Sequence, residues 1–404
     1  MATVCMLGHP APGHINPNLP LMTELCRRGE RVVYFATEPF RAKVERTGAE
    51  FRSYGDHDMF ERGLGAGGML GGMAALIETT EQILPALVEA LRAARPDYLL
   101  VEAHAVWGNL MAQMHHLPTA TLCSMFAMND SLISAGGLMS HLYGAAPREL
   151  VLEGLLALGE YYESARRLLC RFGAVSPGIV DYLGNRQRLN LVFTAREFQI
   201  GSAAFDESYR FVGPSVAGRQ DYAEFPMERV AGRAPILISM GTMYNDEAEF
   251  YGRCFLAFAD WPDPVVLAVG HRVDRAQLRK PPANFIVCEY VPQVALLETA
   301  RLFITHGGIN SAHEAMLHGV PMVVLPQRAD HYVVAGQVEA VGAGVVLDRS
   351  QATPERLAEA ARRALADPHF RTRSAKMGEM LRAAGGPVRA ADEIFEFRRR
   401  AGVS

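Results

Sequence analysis

The stretch Phe303 to Leu325, FITHGGINSAHEAMLHGVPMVVL, constrains the fold more than any other. Phe303 to Thr305 is a short apolar run suited to a buried parallel strand, and His306-Gly307-Gly308 turns it without Cβ bulk. Ser311 to Glu314 spells a capping box, followed by an apolar helix face, Gly319 as a stop and Pro321 just beyond. A second apolar run completes a strand, turn, helix, strand unit. A helix that begins at the carboxyl end of a parallel strand aims free N–H groups and its positive dipole end at one spot, where an anionic phosphate is best held.

The rest of the chain repeats this grammar. Thr3 to Leu7 predicts a strand, Gly8 to Gly13 a turn, and Asn16-Pro17 an N-cap with proline at the first helical position, the helix running to Arg28 and stopping at Gly29. Arg31 to Ala36, Tyr98 to Val101, Ala120 to Cys123, Leu191 to Thr194 and Phe211 to Pro214 predict further strands. Pro235 to Ser239 opens a second α/β half with Met240-Gly241-Thr242 as its turn, and Pro264 to Val269 and Asn284 to Cys288 add strands. Helices are expected over Glu355 to Ala366 and Ala390 to Arg400, the terminal arginines forming a solvated face. The expected architecture is α/β, two Rossmann-like halves facing each other across a cleft, with residues 1–214 as the first domain, 215–233 as a linker, 234–385 as the second domain and 386–404 as a terminal helix. Ligands belong at the carboxyl ends of such strands.

Two segments interrupt the alternation. Gly63 to Gly72 satisfies the GxGxxG spacing, but no strand leads into it, so it reads as a mobile loop and not a dinucleotide site. Leu132 to Tyr182 is mostly helical in pattern and either lines an apolar pocket or packs as ordinary helices.

Composition limits the partners. With 404 residues, 49% of them hydrophobic, the chain can bury two or three cores. A net charge of -4 offers no broad basic field for nucleic acid. Cys5, Cys26, Cys123, Cys170, Cys254 and Cys288 contain no CxxC pair, which suits reduced thiols and a cytoplasmic protein. No basic and apolar leader stands at the amino terminus, and no apolar run approaches the roughly 20 residues needed to span a bilayer.

The run from Tyr290-Val291-Pro292-Gln293 through His306-Gly307-Gly308-Ile309-Asn310-Ser311 and Glu314 to Asp330-His331 makes the chain recognisable. It resembles the UDP-glycosyltransferase family with the GT-B fold, in particular bacterial members acting on macrolide, polyketide and flavonoid-like acceptors. The resemblance covers essentially the whole length. It implies an acceptor domain first and a nucleotide-sugar domain second, with the terminal helix returning to the first. Val291 and Gln293 would meet the uracil or thymine edge, with Tyr290 where many relatives have a stacking tryptophan. His306, Asn310 and Ser311 would hold the diphosphate, and Ser239, Gly241 and Thr242 would close on it from the other side. Glu314 would hold the ribose hydroxyls, although as N3 of a capping box it has a purely structural alternative. Asp330 and His331 match a pair that contacts the sugar, often Asp-Gln.

A transfer to a hydroxyl needs a base. His14 fills that role, set just ahead of a helix whose positive end keeps the ring neutral. The resemblance expects an aspartate partner five residues before Trp107-Gly108. Glu102 stands there instead, and His104 is either an acceptor-pocket residue or packed. The DxD triplet Asp56-His57-Asp58 and the pair His115-His116 are not read as metal ligands, and no cofactor or essential metal is expected. The reading is an inverting glycosyltransferase that uses a UDP- or dTDP-sugar, UDP-glucose favoured, on a hydrophobic hydroxylated acceptor. The alternatives are a catalytically silent nucleotide-sugar-binding protein or helper subunit, motivated by Glu102, and a nucleotide-sugar 2-epimerase.

Overall fold

The computed structural model describes residues 1–55, 68–129, 132, 148–173, 184–216, 225–241, 247–274, 277–327 and 329–403. Thr242, the Asp56-His57-Asp58 triplet, positions 63–67 of the glycine stretch, and 133–147 and 174–182 of the helical segment lie outside these residues.

Short apolar runs alternating with helices give two parallel sheets among the described residues. The first contains β1 (Thr3–Leu7), α1 (Pro12–Arg27), β2 (Arg31–Ala36), α2 (Arg41–Glu45), β3 (Glu50–Ser53), α3 (Gly68–Ala94), β4 (Tyr98–Glu102), α4 (Val106–His115), β5 (Thr119–Cys123), α5 (Arg148–Phe172), β6 (Leu189–Val192) and β7 (Tyr209–Phe211). Its strands pair in the order β3-β2-β1-β4-β5-β6-β7, every pair parallel. The second contains β8 (Ile236–Ser239), α6 (Ala248–Phe258), β9 (Val265–Ala268), β10 (Phe285–Cys288), α7 (Gln293–Leu297), β11 (Leu302–Thr305), α8 (Ile309–Leu317), β12 (Met322–Val324), α9 (Ala329–Ala340), β13 (Gly344–Val346), α10 (Pro354–Ala366) and α11 (Pro368–Ala383). Its order is β10-β9-β8-β11-β12-β13, again parallel. The chain divides into Met1–Ala217 with Ala384–Ser404, and Gly218–Ala383. The last helix, α12 (Gly386–Arg400), belongs to the first unit.

Strand β1 shows how the first core is built. Alternate side chains leave opposite faces of a strand. Val4 and Met6 join Leu21 and Leu25 of α1 and Ile394 of α12 on one face, while Cys5 and Leu7 join Leu84 and Leu91 of α3 and Trp107 of α4 on the other. Each such buried aliphatic side chain stabilises by roughly 1.5–3 kcal/mol. The second unit has its own core, in which Ile238, Leu267 and Ile304 of the sheet meet Phe255 of α6 and Leu357 of α10.

Both sheets reverse their strand order, between β1 and β4 in one and between β8 and β11 in the other. Neighbouring loops diverge there and leave room for a ligand.

Four local expectations are corrected. Helix α1 starts at Pro12 with Ala11 as N-cap, so His14 lies in its first turn and Pro17 lies inside the helix. Helix α8 starts at Ile309 with Gly308 as N-cap and no side-chain cap, so Ser311 and Glu314 do not form a capping box. Gly68 to Gly72 open the helix α3 instead of continuing a loop. Of the terminal arginines, Arg398 is not part of a solvated face: its guanidinium pairs with Glu30, itself 6% exposed, which also accepts from the Tyr98 hydroxyl at 3.0 Å. No helix among the described residues is long and apolar enough to cross a membrane.

Candidate active site

In the first unit the switch point carries a connected polar cluster. The chain leaves β1 through His9, which is 8% exposed, and turns at Pro12 into α1. His14 projects from the first turn of α1, and Nδ1 stands 2.8 Å from Oε1 of Glu102, the last residue of β4. Glu102 is fully buried. Its Oε2 accepts the His104 backbone N–H at 2.7 Å, and Oε1 accepts the Ser124 hydroxyl at 2.6 Å. Burial alone would raise this carboxyl. The neighbouring imidazoles of His14 and His104, with their hydrogen bonds, outweigh it and hold Glu102 well below the usual carboxylate range. An ionised carboxylate only accepts, so His14 donates its Nδ1–H to Glu102 and Nε2 is the nitrogen left for another partner. The longer glutamate stem is accommodated because both its oxygens are held.

Ser124 follows β5, the strand beside β4, and its Oγ is also 3.0 Å from His14 Nδ1. Its part in this cluster was not visible in the sequence. The only available signal was its place just past the end of a strand, and strand neighbours are not written in a single sequence. His9 was missed for the same reason. Its ring stacks on Trp107 and meets the His14 ring edge-on with centroids 4.5 Å apart. Burial first, then the proximity of His14, push its pKa well down, so His9 is a neutral wall. His104 lies beside His14, centroids 4.8 Å apart.

In the second unit the reversal lies between β8, ending at Ser239, and β11, followed by His306. The His306 ring fills a slot between two glycines. A Cβ on Gly241, whose φ is +83°, would lie 2.7 Å from Cε1, and a Cβ on Gly308 would lie 2.6 Å from Nε2. Only residues without a Cβ allow this approach. Although part of the residue meets solvent, burial of the ring and the adjacent His331 push His306 down to about 3, partly opposed by a bond to the Ser239 backbone. His306 is therefore a neutral hydrogen-bonding group at pH 7. Next to it α8 begins. Ala312 makes its N–H bond to the Gly308 carbonyl at 3.0 Å, so the N–H groups of Ile309 to Ser311 precede the intrahelical ladder.

Of the remaining predicted residues, Gln293 is tied by hydrogen bonds to α8. Gln293, at the start of α7, donates from Nε2 to Oε2 of Glu314 at 2.7 Å and to Oγ of Ser311 at 3.2 Å. Glu314 is 1% exposed, so this amide is what satisfies its carboxylate on the side facing α7. Tyr290 is 47% exposed, with its hydroxyl 2.8 Å from Nδ1 of His271 and its ring stacked on that imidazole. Val291 is partly buried beside it. Gly307, at φ +86°, packs its backbone against Val324 and the His331 carbonyl. Asp330 opens α9, partly exposed, whereas His331 is 8% exposed and meets the His306 ring edge-on at 4.6 Å. Asn310, in the first turn of α8, is partly exposed, and Thr242 lies outside the described residues.

Comparison with known proteins decides the family. Residues 257–397 match the model of the Erythromycin biosynthesis protein CIII-like, C-terminal domain. The chain is 34% identical to the uncharacterized UDP-glucosyltransferase YojK of Bacillus subtilis over 98% of its own length and 97% of that protein. The chain belongs to the UDP-glycosyltransferase family. This glycosyltransferase is also 35% identical to the NDP-glycosyltransferase YjiC of Bacillus licheniformis, over 99% of its length and 98% of the relative. Among solved structures, the glycotransferase of kitacinnamycin superposes with a TM-score of 0.82 at 28% identity, covering 98% of each chain. The glycosyltransferase has the GT-B fold of these neighbours, with two parallel-sheet Rossmann-like domains.

Proposed function

We propose that this glycosyltransferase moves a sugar from a UDP- or dTDP-sugar, with UDP-glucose favoured, to a hydroxyl of a hydrophobic natural product, with inversion at the anomeric carbon. The observation that carries the reading is the His14 to Glu102 contact at 2.8 Å, which supports Nε2 as the basic nitrogen. Nε2 takes the acceptor proton while the acceptor oxygen attacks the anomeric carbon and the diphosphate leaves from the opposite face. Glu102 then faces an imidazolium whose positive charge it offsets. The leaving diphosphate is held by the first turn of α8, by the neutral His306 and by the β8 turn at Ser239 and Gly241. Gln293 and Glu314 serve the nucleoside, and Asp330 and His331 the sugar. With the phosphates held this way, the step draws on no metal and no cofactor.

The UDP preference is supported by the relative named a UDP-glucosyltransferase, and the natural-product acceptor by the erythromycin and kitacinnamycin proteins. A silent binding protein needs a decayed base pair, and the bonded Glu102 speaks against that. The test incubates the protein with UDP-glucose or dTDP-glucose and a panel of phenolic and macrolide acceptors, with products read by mass. Conjugates that disappear in His14→Ala support the reading. UDP binding without product from any acceptor would favour the silent protein, and UDP-sugar turnover without acceptor would favour the epimerase.

A further inference from the structure

Glu102 and the two imidazoles beside it are a donor set with a second use. Two histidines and one carboxylate are a common zinc-binding combination that leaves a coordination position open. One ligand atom from each of His14, Glu102 and His104 lies within 4.8 Å of the others. Oε1 of Glu102 is 2.8 Å from Nδ1 of His14 and 3.6 Å from Nδ1 of His104. Ligand atoms in a tetrahedral site with bonds of about 2.0–2.2 Å stand about 3.3 Å apart, a spacing that the two carboxylate to imidazole distances bracket. Oε2 is held by the His104 N–H and Oε1 by Ser124, the kind of outer support that orients a metal-binding carboxylate. The imidazoles are 16% and 20% exposed over a fully buried carboxylate, which gives an ion a way in.

We propose that His14, Glu102 and His104 form an inhibitory site for a divalent transition-metal ion, Zn²⁺ by preference. The consequence rests on the reading of His14 as base. A metal on Nδ1 takes that nitrogen's lone pair, so the ring proton must move from Nδ1 to Nε2. No proton is gained or lost by the ring, but Nε2 can no longer accept one from the acceptor hydroxyl. The ion thus blocks the base by fixing the wrong tautomer. Nitrogen ligands favour Zn²⁺ over Mg²⁺, which keeps oxygen ligands and octahedral geometry.

The test titrates ZnCl₂ into metal-free protein by calorimetry and, in parallel, into the transfer assay. One ion is expected to bind per chain, with inhibition following occupancy, EDTA restoring the rate and MgCl₂ leaving it unaffected. His104→Ala and the shape-conserving His104→Gln should each weaken Zn²⁺ binding at least about tenfold and raise the half-inhibitory concentration equally, relative to each variant's own rate. Co²⁺ should give tetrahedral visible bands in the wild type that both variants lose. Equal Zn²⁺ binding, or equal inhibition, in wild type and both variants overturns the site. If Zn²⁺ binding depends on His104 but His14→Ala retains turnover, the metal site stands and the base assignment falls.

Discussion

In its proposed role as base, His14 depends on the partner of its other ring nitrogen, so the informative substitutions include Glu102 and Ser124. His14→Ala should lower kcat by about 10²–10⁴ without changing UDP affinity, since only the proton acceptor is lost. Glu102→Gln should also lower kcat, because an amide can present N–H to Nδ1 and leave the ring in the wrong tautomer. Ser124→Ala removes one hydrogen bond to a charged oxygen, an interaction worth about 1.5–3 kcal/mol, and should lower kcat roughly 10–100-fold at unchanged donor KM. Steady-state kinetics of the three variants checks this, and full activity in Ser124→Ala would remove that residue from the dyad's support. Glu102 was legible because it ends a recognisable apolar strand, and His14 because it opens the helix that follows the first strand. Ser124 and His9 were not, because their proximity depends on which strands are neighbours and in what register. Glu314 was ambiguous until the helix start was known: with Gly308 as N-cap, its carboxylate turns to Gln293 instead of capping.

The strands β1, β2, β8 and β11 were legible within a residue because parallel strands buried on both faces are continuous apolar runs bounded by glycine and proline. Helix starts were harder. In α1 two prolines compete for the first position, and Pro12 takes it while Pro17 is tolerated inside. The slot for His306 makes a sharp element-level prediction. Gly241→Ala forces a Cβ into the imidazole at a positive φ, and should weaken UDP binding at least about tenfold by calorimetry with the fold retained. Helix α8 also carries His313, 1% exposed, which burial pushes down to about 3. Its folded pKa lies below the unfolded value near 6.5, so the unfolded chain binds the extra proton between those limits. Stability is complete above about pH 6.5 and declines as pH falls toward 3, by about 1.4 kcal/mol per pH unit at most for this one group. The urea midpoint should fall from about pH 7 to about pH 4, and His313→Gln should make that fall shallower. An unchanged slope would show that His313 is not the group being protonated. Helix α12 is tied to α1 by Arg28 with Asp392 and by Arg398 with the buried Glu30 that follows α1.

At the scale of the whole molecule, the two units have separate cores and carry different parts of the proposed chemistry. The proposed base and its partners come from α1, β4 and the end of β5, while the proposed phosphate site comes from β8, β11 and α8. Donor binding and proton transfer should therefore be separable. UDP at about 100 times its Kd stabilises whatever folded element binds it by about 2.7 kcal/mol. Hydrogen exchange with UDP present should accordingly slow in peptides covering 236–241 and 302–325 more than in those covering 3–16 and 98–105. His14→Ala should show the same pattern as the wild type while making no product, because its substitution leaves α8 untouched. Protection centred on the first unit, or lost in His14→Ala, would place the nucleotide on the wrong half and undo the division of labour. Protection centred on the second unit in both proteins, with product formed only by the wild type, would tie the nucleotide to α8 and the proton to His14.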